Sequence, residues 1–561
     1  MNWKSIDNLK NPYNDAINYR INSEKEFFQK IFLRTEDLNS LNNNSVYYII
    51  GEKGSGKTAY AVYYENNSPG GQKAQLTTMT ETQYLRFINL KKQGKLVISD
   101  YANIWRSMLL FMVGRMVVEK SKNPLHLITR KFSKIEGALK TWSSHALNPE
   151  IESAFEAITS DSVNAKLTAP QAGEIGADRK NTFTSKDVVL RHHLLETEST
   201  FKDALSSLKL SENHILFIDG IDFRPENVSY NEYVNCIKGL GEAAWQLNTE
   251  FFNKIKDSPG RIKIVLLIRP DVFHVLNLYN SNSRLQDNCI FLDWSTTEKE
   301  FHNSPLYCLS DKYFSVQQGK TRKLNIGEAW NHYYDEVKNN EYTFKKLLKS
   351  SFQKPRDILT FIRISRAQAI KKGLARNNKF QPYFVDDVAI GREYSDYLLG
   401  EVRNYAAFYM TQEDFAKYLK IFQYLNGSHK FVMSDFRSAF VKFKKWAEGE
   451  KFSATTYLRD AESLLQLLYD VNLIGYSEDL DGTNTAFYHW SYRERSANNI
   501  APKVKTSGNL MLNMGIAKAL DIGKKFSSSE KEIEDKRERH VNHRVNRGKR
   551  FNQSEKGRKN K

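Results

Sequence analysis

Cysteine is scarce: three in 561 residues (Cys236, Cys289, Cys308), none at a spacing that pairs or builds a metal site. That argues against a disulfide framework or a structural zinc, and predicts a reducing, cytoplasmic setting. Long apolar runs are missing as well. The N-terminal Met1-Asn2-Trp3-Lys4-Ser5 has no apolar signal-peptide core. The most apolar helical stretch, Ile104 to Val118, is short and carries Arg106 and Arg115, so no membrane span is expected. Nor is positive charge spread evenly. Of the net +18, +9 sits in residues 536–561, where eleven Lys/Arg face only Glu538 and Glu555. The body is therefore ordinary in charge, and the tail is basic.

What is present is enough apolar material for several domains: 40% hydrophobic and 12% aromatic residues over a length too great for one core. Gly51-Glu52-Lys53-Gly54-Ser55-Gly56-Lys57-Thr58 matches the phosphate-loop pattern G-x-x-x-x-G-K-[ST]. The apolar run Val46–Ile50 before it predicts a buried strand, and Ala59–Tyr64 can continue as a helix. A glycine loop between strand and helix start offers backbone N–H groups and the positive end of a helix to phosphate oxygens. In such a loop Lys57 reaches the β- and γ-phosphates of a nucleoside triphosphate, and the Thr58 hydroxyl is a Mg²⁺ ligand.

Further apolar runs complete a strand set: Ala74–Thr78, Ile215–Ile218 running into Asp219-Gly220-Ile221-Asp222, Ile262–Ile268 capped by Arg269-Pro270-Asp271, and Cys289–Asp293. Asp219 falls at the C-terminal end of its strand, where open α/β sheets bind ligands, and is the second metal-holding candidate. An ordinary strand ending in an acidic turn has the same letters, and the phosphate loop upstream favours the metal role. Arg269, at the tip of a strand, is placed to sense a γ-phosphate, or is a solvated strand-end arginine. Helices are expected near Glu24–Phe32, Thr82–Lys92, Tyr230–Lys256 and Glu341–Ser350, with a short apolar stretch at Leu96–Ile98 and a Ser/Thr/Asn/Gly-rich loop at 159–187.

The combined pattern resembles the additional-strand P-loop ATPases, specifically the AAA+ and STAND (NACHT-like) branch. It also resembles a poorly characterised bacterial P-loop ATPase family that shares K-G-S-G-K-T-A, F-I-D-G-I-D and L-x-R-P-D-hydrophobic-F, the last present as Leu267–Phe273. The resemblance spans about residues 25–370. It implies an α/β fold with a parallel five-stranded sheet in the order 5-1-4-3-2, ATP and Mg²⁺ as ligands, and a helical lid that presents Pro355 and Arg356 to the nucleotide. One departure matters. Strongly hydrolysing members carry a glutamate after the metal-holding aspartate, and here that residue is Gly220. Asp222 is the remaining water-positioning candidate, or a turn aspartate, so slow or partner-stimulated hydrolysis is expected.

The expected organisation is a lead-in helix and linker (1–44), a P-loop core (45–300) with a helical insertion at about 99–210, and a helical lid (301–400). A winged-helix-like domain (401–500), a linker (501–535) and a basic disordered tail (536–561) follow. In the fourth unit, helices at about Phe415–Leu425, Met433–Trp446 and Thr455–Tyr469 precede a hairpin, Leu473–Ser477 and Ala486–Tyr492, around Asp481-Gly482. Its third helix offers only Arg459 beside Asp460 and Glu462, which favours a protein partner over DNA. The leading expectation is an ATP-dependent conformational switch that binds a protein through its lid or winged-helix region and in which homo-oligomerisation stays open. A DNA- or RNA-associated remodelling ATPase, with 536–561 holding nucleic acid non-specifically, and a scaffold with a structural nucleotide are the other readings.

Overall fold

A computed structural model describes residues 3–80, 84, 88, 100–121, 130–142, 185–319, 324–334, 337–338, 341–381, 386–425, 427–479, 486–520 and 522. The expectations for 96–98, 159–184, 481–482 and 536–561, and most of that for 82–92, lie outside these residues. The chain divides into two units. The first comprises residues 1–385, 404–411 and 492–502; the second comprises 386–403, 412–491 and 503–561.

The first unit is built on an all-parallel sheet of five strands: β1 (Tyr48–Gly51), β2 (Lys73–Thr78), β3 (His214–Asp219), β4 (Ile262–Ile268) and β5 (Cys289–Leu292). Their spatial order is β2-β3-β4-β1-β5. β4, flanked by β3 and β1, is buried at all seven positions. That is why it is a nearly continuous apolar run in the sequence, as strands covered on both faces are, broken only by Lys263, whose buried Nζ donates to Leu41 O (2.6 Å) and Asn43 O (2.8 Å). Register pairs Ile50 with Ile268 and Ile218 with Leu266, so the ends of β1, β3 and β4 open on one edge.

Helices α1 (Asn22–Ile31) and α2 (Lys57–Asn67) precede the helical segment at 99–210, whose described helices are α3 (Asp100–Ser121), α4 (Ser133–Trp142) and α5 (Ser185–Ser206). α3 is apolar nearly all round, with Ile104, Trp105, Met108 to Val113, and Met116 to Val118 buried. A helix of that kind must be enclosed. It packs on α5, on α6 (Tyr230–Gln246) and on the β2–β3 edge, in the same apolar cluster as Leu216, Ile218 and Ile264. The α3–α6 approach is close enough that a Cβ on Gly239 would stand 2.6 Å from Tyr101 Cβ. The helical segment thus supplies part of the main core. No described helix is long and apolar enough to cross a membrane.

Local boundaries differ from the sequence expectation for identifiable reasons. α6 ends at Gln246 and gives way to a π-turn at Leu247–Phe251, in which Asn248 accepts from Ile264 N and donates to Ile264 O, both at 2.9 Å. That exchange satisfies a stretch of β4 that lies before its pairing with β1 begins. Glu341 and Tyr342 form strand β7, paired with β6 (Val337–Lys338), and the helix starts at Thr343. Helix α7 (Pro355–Lys371) opens with proline at its first position, where no N–H is needed.

The second unit contains helix Gln412–Tyr418 with a 3₁₀ continuation to Leu425, β8 (Lys430–Phe431), α8 (Met433–Ala447), α9 (Ala461–Asp470), β9 (Ile474–Asp479) and β10 (Ala486–His489). α9 starts at Ala461 rather than at 455, because Asp460 caps it by accepting from Ser463 N at 2.7 Å. A fourth strand, β11 (Asn509–Leu512), comes from the stretch expected to be linker and enters the antiparallel sheet β10-β9-β11-β8.

Candidate functional site

Between β1 and α2 the chain turns through Gly54 and Gly56 at φ +84° and +100°. These left-handed conformations are open to glycine and disfavoured for residues with a Cβ. Lys57 and Thr58 form the first turn of α2, beside helix N–H groups that have no intrahelical acceptor. Lys57 is 7% exposed, and its Nζ donates to Gly51 O (2.8 Å) and Glu52 O (3.2 Å). Burial pulls its pKa down, opposed by the carboxylates of Asp222 and Asp219.

Thr58 Oγ1 donates to Asp219 Oδ2 at 2.6 Å, across 161 residues of sequence. Gly220 N donates to the other carboxylate oxygen at 2.8 Å. Burial raises the Asp219 pKa; the hydrogen bond from Thr58 opposes it, and the nearby charge of Asp222 adds to it. Burial acts the same way on Asp222, yet Lys57, Arg269 and Lys53 together hold its carboxyl below the usual range. The surroundings thus push the two carboxyls in opposite directions, Asp219 up and Asp222 down. Gly220 sits at φ +80°, and a Cβ there would lie 2.4 Å from Met79 O. A glutamate at this position would collide with the end of β2, so the glycine is required by the backbone.

A cavity of about 200 Å³ brings these groups together. Gly54, Gly56, Lys57, Thr58, Asp219 and Asp222 line its polar part. Its apolar part is lined by Tyr13, Tyr19, Phe28, Phe32, Tyr60, Tyr313 and Leu359. Tyr19 stacks on Phe28 at 4.6 Å, which fixes that wall. Pro355 and Arg356 also line the cavity. Arg356 N donates to Gly54 O (3.4 Å) and its Nε to Asn14 O (2.9 Å), tying α7 to both the glycine loop and the lead-in. Trp294 Nε1 donates to Ser55 O at 2.7 Å.

Four candidate residues are not part of the lining: Gly51, Glu52, Ser55 and Arg269. Arg269 does not line the cavity. It is fully buried, donates from Nε and Nη2 to Asp271 (3.0 and 2.6 Å), and lies 3.7 Å over the Tyr405 ring. Asp271 follows it by two residues at the start of the next helix, so the strand-end arginine finds its partner locally rather than reaching toward a phosphate. The Glu52 side chain also lies outside the cavity lining, paired with Arg495 and Lys354.

Sequence reasoning missed the apolar wall, although Tyr13, Tyr19, Phe28 and Phe32 in a stretch taken for polar lead-in were a usable signal. Among the described residues no group of three or more His, Cys, Asp and Glu side chains could hold a metal. The Thr58 hydroxyl and Asp219 form a two-oxygen set, which suits Mg²⁺ because that ion keeps most of its ligands as water and substrate phosphate. No protein-family model, curated protein or solved structure matches this chain.

Proposed function

We propose that this chain is a P-loop ATPase of the AAA+/STAND-like kind that works as a Mg²⁺- and ATP-dependent conformational switch with slow or partner-stimulated hydrolysis. The observation that carries the reading is the 2.6 Å contact between Thr58 Oγ1 and Asp219 Oδ2, in one cavity with Lys57 and Asp222. Four residues of the required chemistry, from stretches 161 residues apart, converge at the C-terminal edge of the sheet. The strand order β5-β1-β4-β3-β2, which the resemblance implies, supports the same reading.

The groups fit the ligand. Left-handed glycines and the start of α2 supply a cradle of N–H donors for phosphate oxygens, and Lys57 supplies a buried ammonium. Thr58 and Asp219 would hold Mg²⁺, which when bound neutralises charge on the β- and γ-phosphates. Aromatic walls from Tyr19, Phe28 and Tyr60 suit a nucleobase. Arg356, on α7, is the cation best placed to report phosphate occupancy to the lid. Asp222 is the group available to orient a water, and without a glutamate at 220 it works alone. Low basal turnover follows.

The order of helix, β8, α8, α9, β9 and β10 in the second unit supports a winged-helix-like domain, extended by β11. Asp460, Glu462 and Asp470 on or beside α9 outnumber Arg459. A duplex-reading helix needs the opposite balance, so a protein partner fits this unit better.

Lys57→Ala tests the reading. It removes the phosphate-contacting ammonium and should abolish binding of a fluorescent ATP analogue while the far-ultraviolet circular dichroism stays unchanged. Wild-type affinity in a folded Lys57→Ala protein would remove the proposal.

A further inference from the structure

Behind the phosphate loop lies a run of buried polar contacts that the nucleotide reading does not use. Glu52, the second residue of the loop, is 7% exposed. Its Oε1 accepts from Arg495 Nη1 at 2.5 Å, 443 residues away in sequence, and its Oε2 lies 3.5 Å from Lys354 Nζ. The same Arg495 Nη1 donates to Tyr405 Oη at 2.5 Å. The Tyr405 ring in turn lies under the Arg269 guanidinium, and Tyr405 O accepts from Arg269 Nη2 at 3.3 Å. Asp271 closes the run, paired with Arg269 and accepting from Tyr409 Oη at 2.6 Å. Every charged member is 7% exposed or less.

We propose that Arg495 is a positioning residue for the phosphate loop, acting through Glu52. The proposal rests on the assignment of 51–58 as the nucleotide site. A loop with glycines at 51, 54 and 56 has more backbone freedom than ordinary chain and binds phosphate well only if its N–H groups are already aimed. Three ties restrain it. Trp294 holds Ser55 O, Arg356 N holds Gly54 O, and Arg495, with Lys354 Nζ at 3.5 Å, holds the Glu52 carboxylate. Of these, only the Glu52 tie uses a charged side chain of the loop itself. A buried carboxylate that loses the nearer of its two cations is strongly unfavourable, so the loop's conformation depends on Arg495 being in place.

The source of the ties carries a second consequence. Tyr405, Tyr409 and Arg495 belong to 404–411 and 492–502, the stretches beyond residue 385 that fold with the first unit. In sequence these border residues 412–491, which fold as part of the second unit. The loop is therefore anchored to the chain on both sides of that segment. Nucleotide binding by a core near the N-terminus requires residues close to position 500.

The test uses the full chain with Mg²⁺ and a fluorescent ATP analogue, and reads hydrogen exchange of loop amides in parallel. Arg495→Ala should weaken binding about tenfold or more and speed exchange over 51–58 and 404–411, with β3 and β4 unchanged. Arg495→Lys, which keeps a cation at Glu52, should recover most of both. Because Arg495→Ala leaves a buried carboxylate short of a partner and can unfold the protein, Glu52→Gln/Arg495→Met removes the closer charge pair together and leaves Lys354 Nζ an amide oxygen in place of the carboxylate. This double variant should stay folded yet bind more weakly, with a faster-exchanging loop. Wild-type affinity and loop protection in the double variant would overturn the proposal. A wild-type chain that binds no ATP would instead overturn the nucleotide assignment, and the exchange of 51–58 measured without nucleotide would still decide the positioning role.

Discussion

Arg269→Met separates the two roles an arginine at the end of β4 can have. In the structure its guanidinium is fully buried, donates twice to Asp271 and stacks at 3.7 Å on Tyr405. Removing the cation leaves Asp271, itself 6% exposed, with Tyr409 Oη at 2.6 Å as its remaining short hydrogen bond. Breaking one half of a buried ion pair costs about 3–5 kcal/mol. At about 2–4 °C per kcal/mol for sizeable domains, the unfolding midpoint should fall by roughly 6–20 °C. Arg269→Met/Asp271→Leu, which removes both charges, should return to within about 1–2 kcal/mol of wild type. The pH dependence has a definite sign. Burial alone would raise the Asp271 carboxyl, but Arg269 above all, with Arg495 and Tyr409, holds it far below the usual range. Its contribution is therefore present above the ordinary carboxylate pKa and is lost as pH falls toward the depressed one. The double variant should lose stability less steeply in acid. Thermal denaturation and nucleotide titration together decide the matter. A single Arg269→Met variant that melts within about 2 °C of wild type but no longer distinguishes ATP from ADP would refute the structural role and restore a γ-phosphate contact.

Asp222→Asn should preserve Mg²⁺–ATP binding, because Thr58 and Asp219 remain, while lowering turnover by ~10²-fold or more if Asp222 orients the water; unaltered single-turnover rates would make it a turn residue. His214 is 1% exposed between Ser121 Oγ (2.8 Å) and Glu212 O (2.9 Å), and burial lowers its pKa to about 4. The folded state thus resists a proton that the unfolded chain binds near its ordinary value, so stability falls as pH drops through that window, by about 2 kcal/mol between about pH 7.5 and about pH 5. Urea midpoints across that range should show the slope, and His214→Gln should flatten it.

The parts of this fold that were legible in the sequence are those in which local pattern and tertiary burial coincide. Ile262–Ile268 is apolar at every position but Lys263 because β4 is covered on both faces, so the run and the strand have the same ends. Gly54 and Gly56 announce a backbone conformation that few other residues adopt, which makes the loop visible without its surroundings. What escaped depends on partners that local pattern does not encode. The apolar wall of the cavity is made from a lead-in whose aromatic residues are interrupted by polar ones, and only the folded chain brings Tyr19 and Phe28 onto Tyr60 and Tyr313. β11 lies in a stretch of mixed composition and becomes a strand because β9 and β8 each offer it an edge.

Gly220 and Arg269 show how the same letters divide under structural scrutiny. Both departed from, or fitted, the expected pattern on sequence alone, and in each case the backbone decides. At Gly220 the chain takes φ +80° with Met79 O at Cβ-contact distance, so replacing it by glutamate cannot convert the site into a fast hydrolase without moving β2. At Arg269 the extended backbone leads straight into a helix whose second residue is Asp271, and that carboxylate captures the guanidinium before any ligand can. The cavity then holds one carboxylate not committed to Thr58, Asp222, and the cations Lys53, Lys57 and Arg356. Under the proposed function, such a set favours a polyphosphate and offers little to activate water. Under that same proposal, such a site would hold its nucleotide longer than it hydrolyses it, which is the behaviour a switch requires and a motor does not.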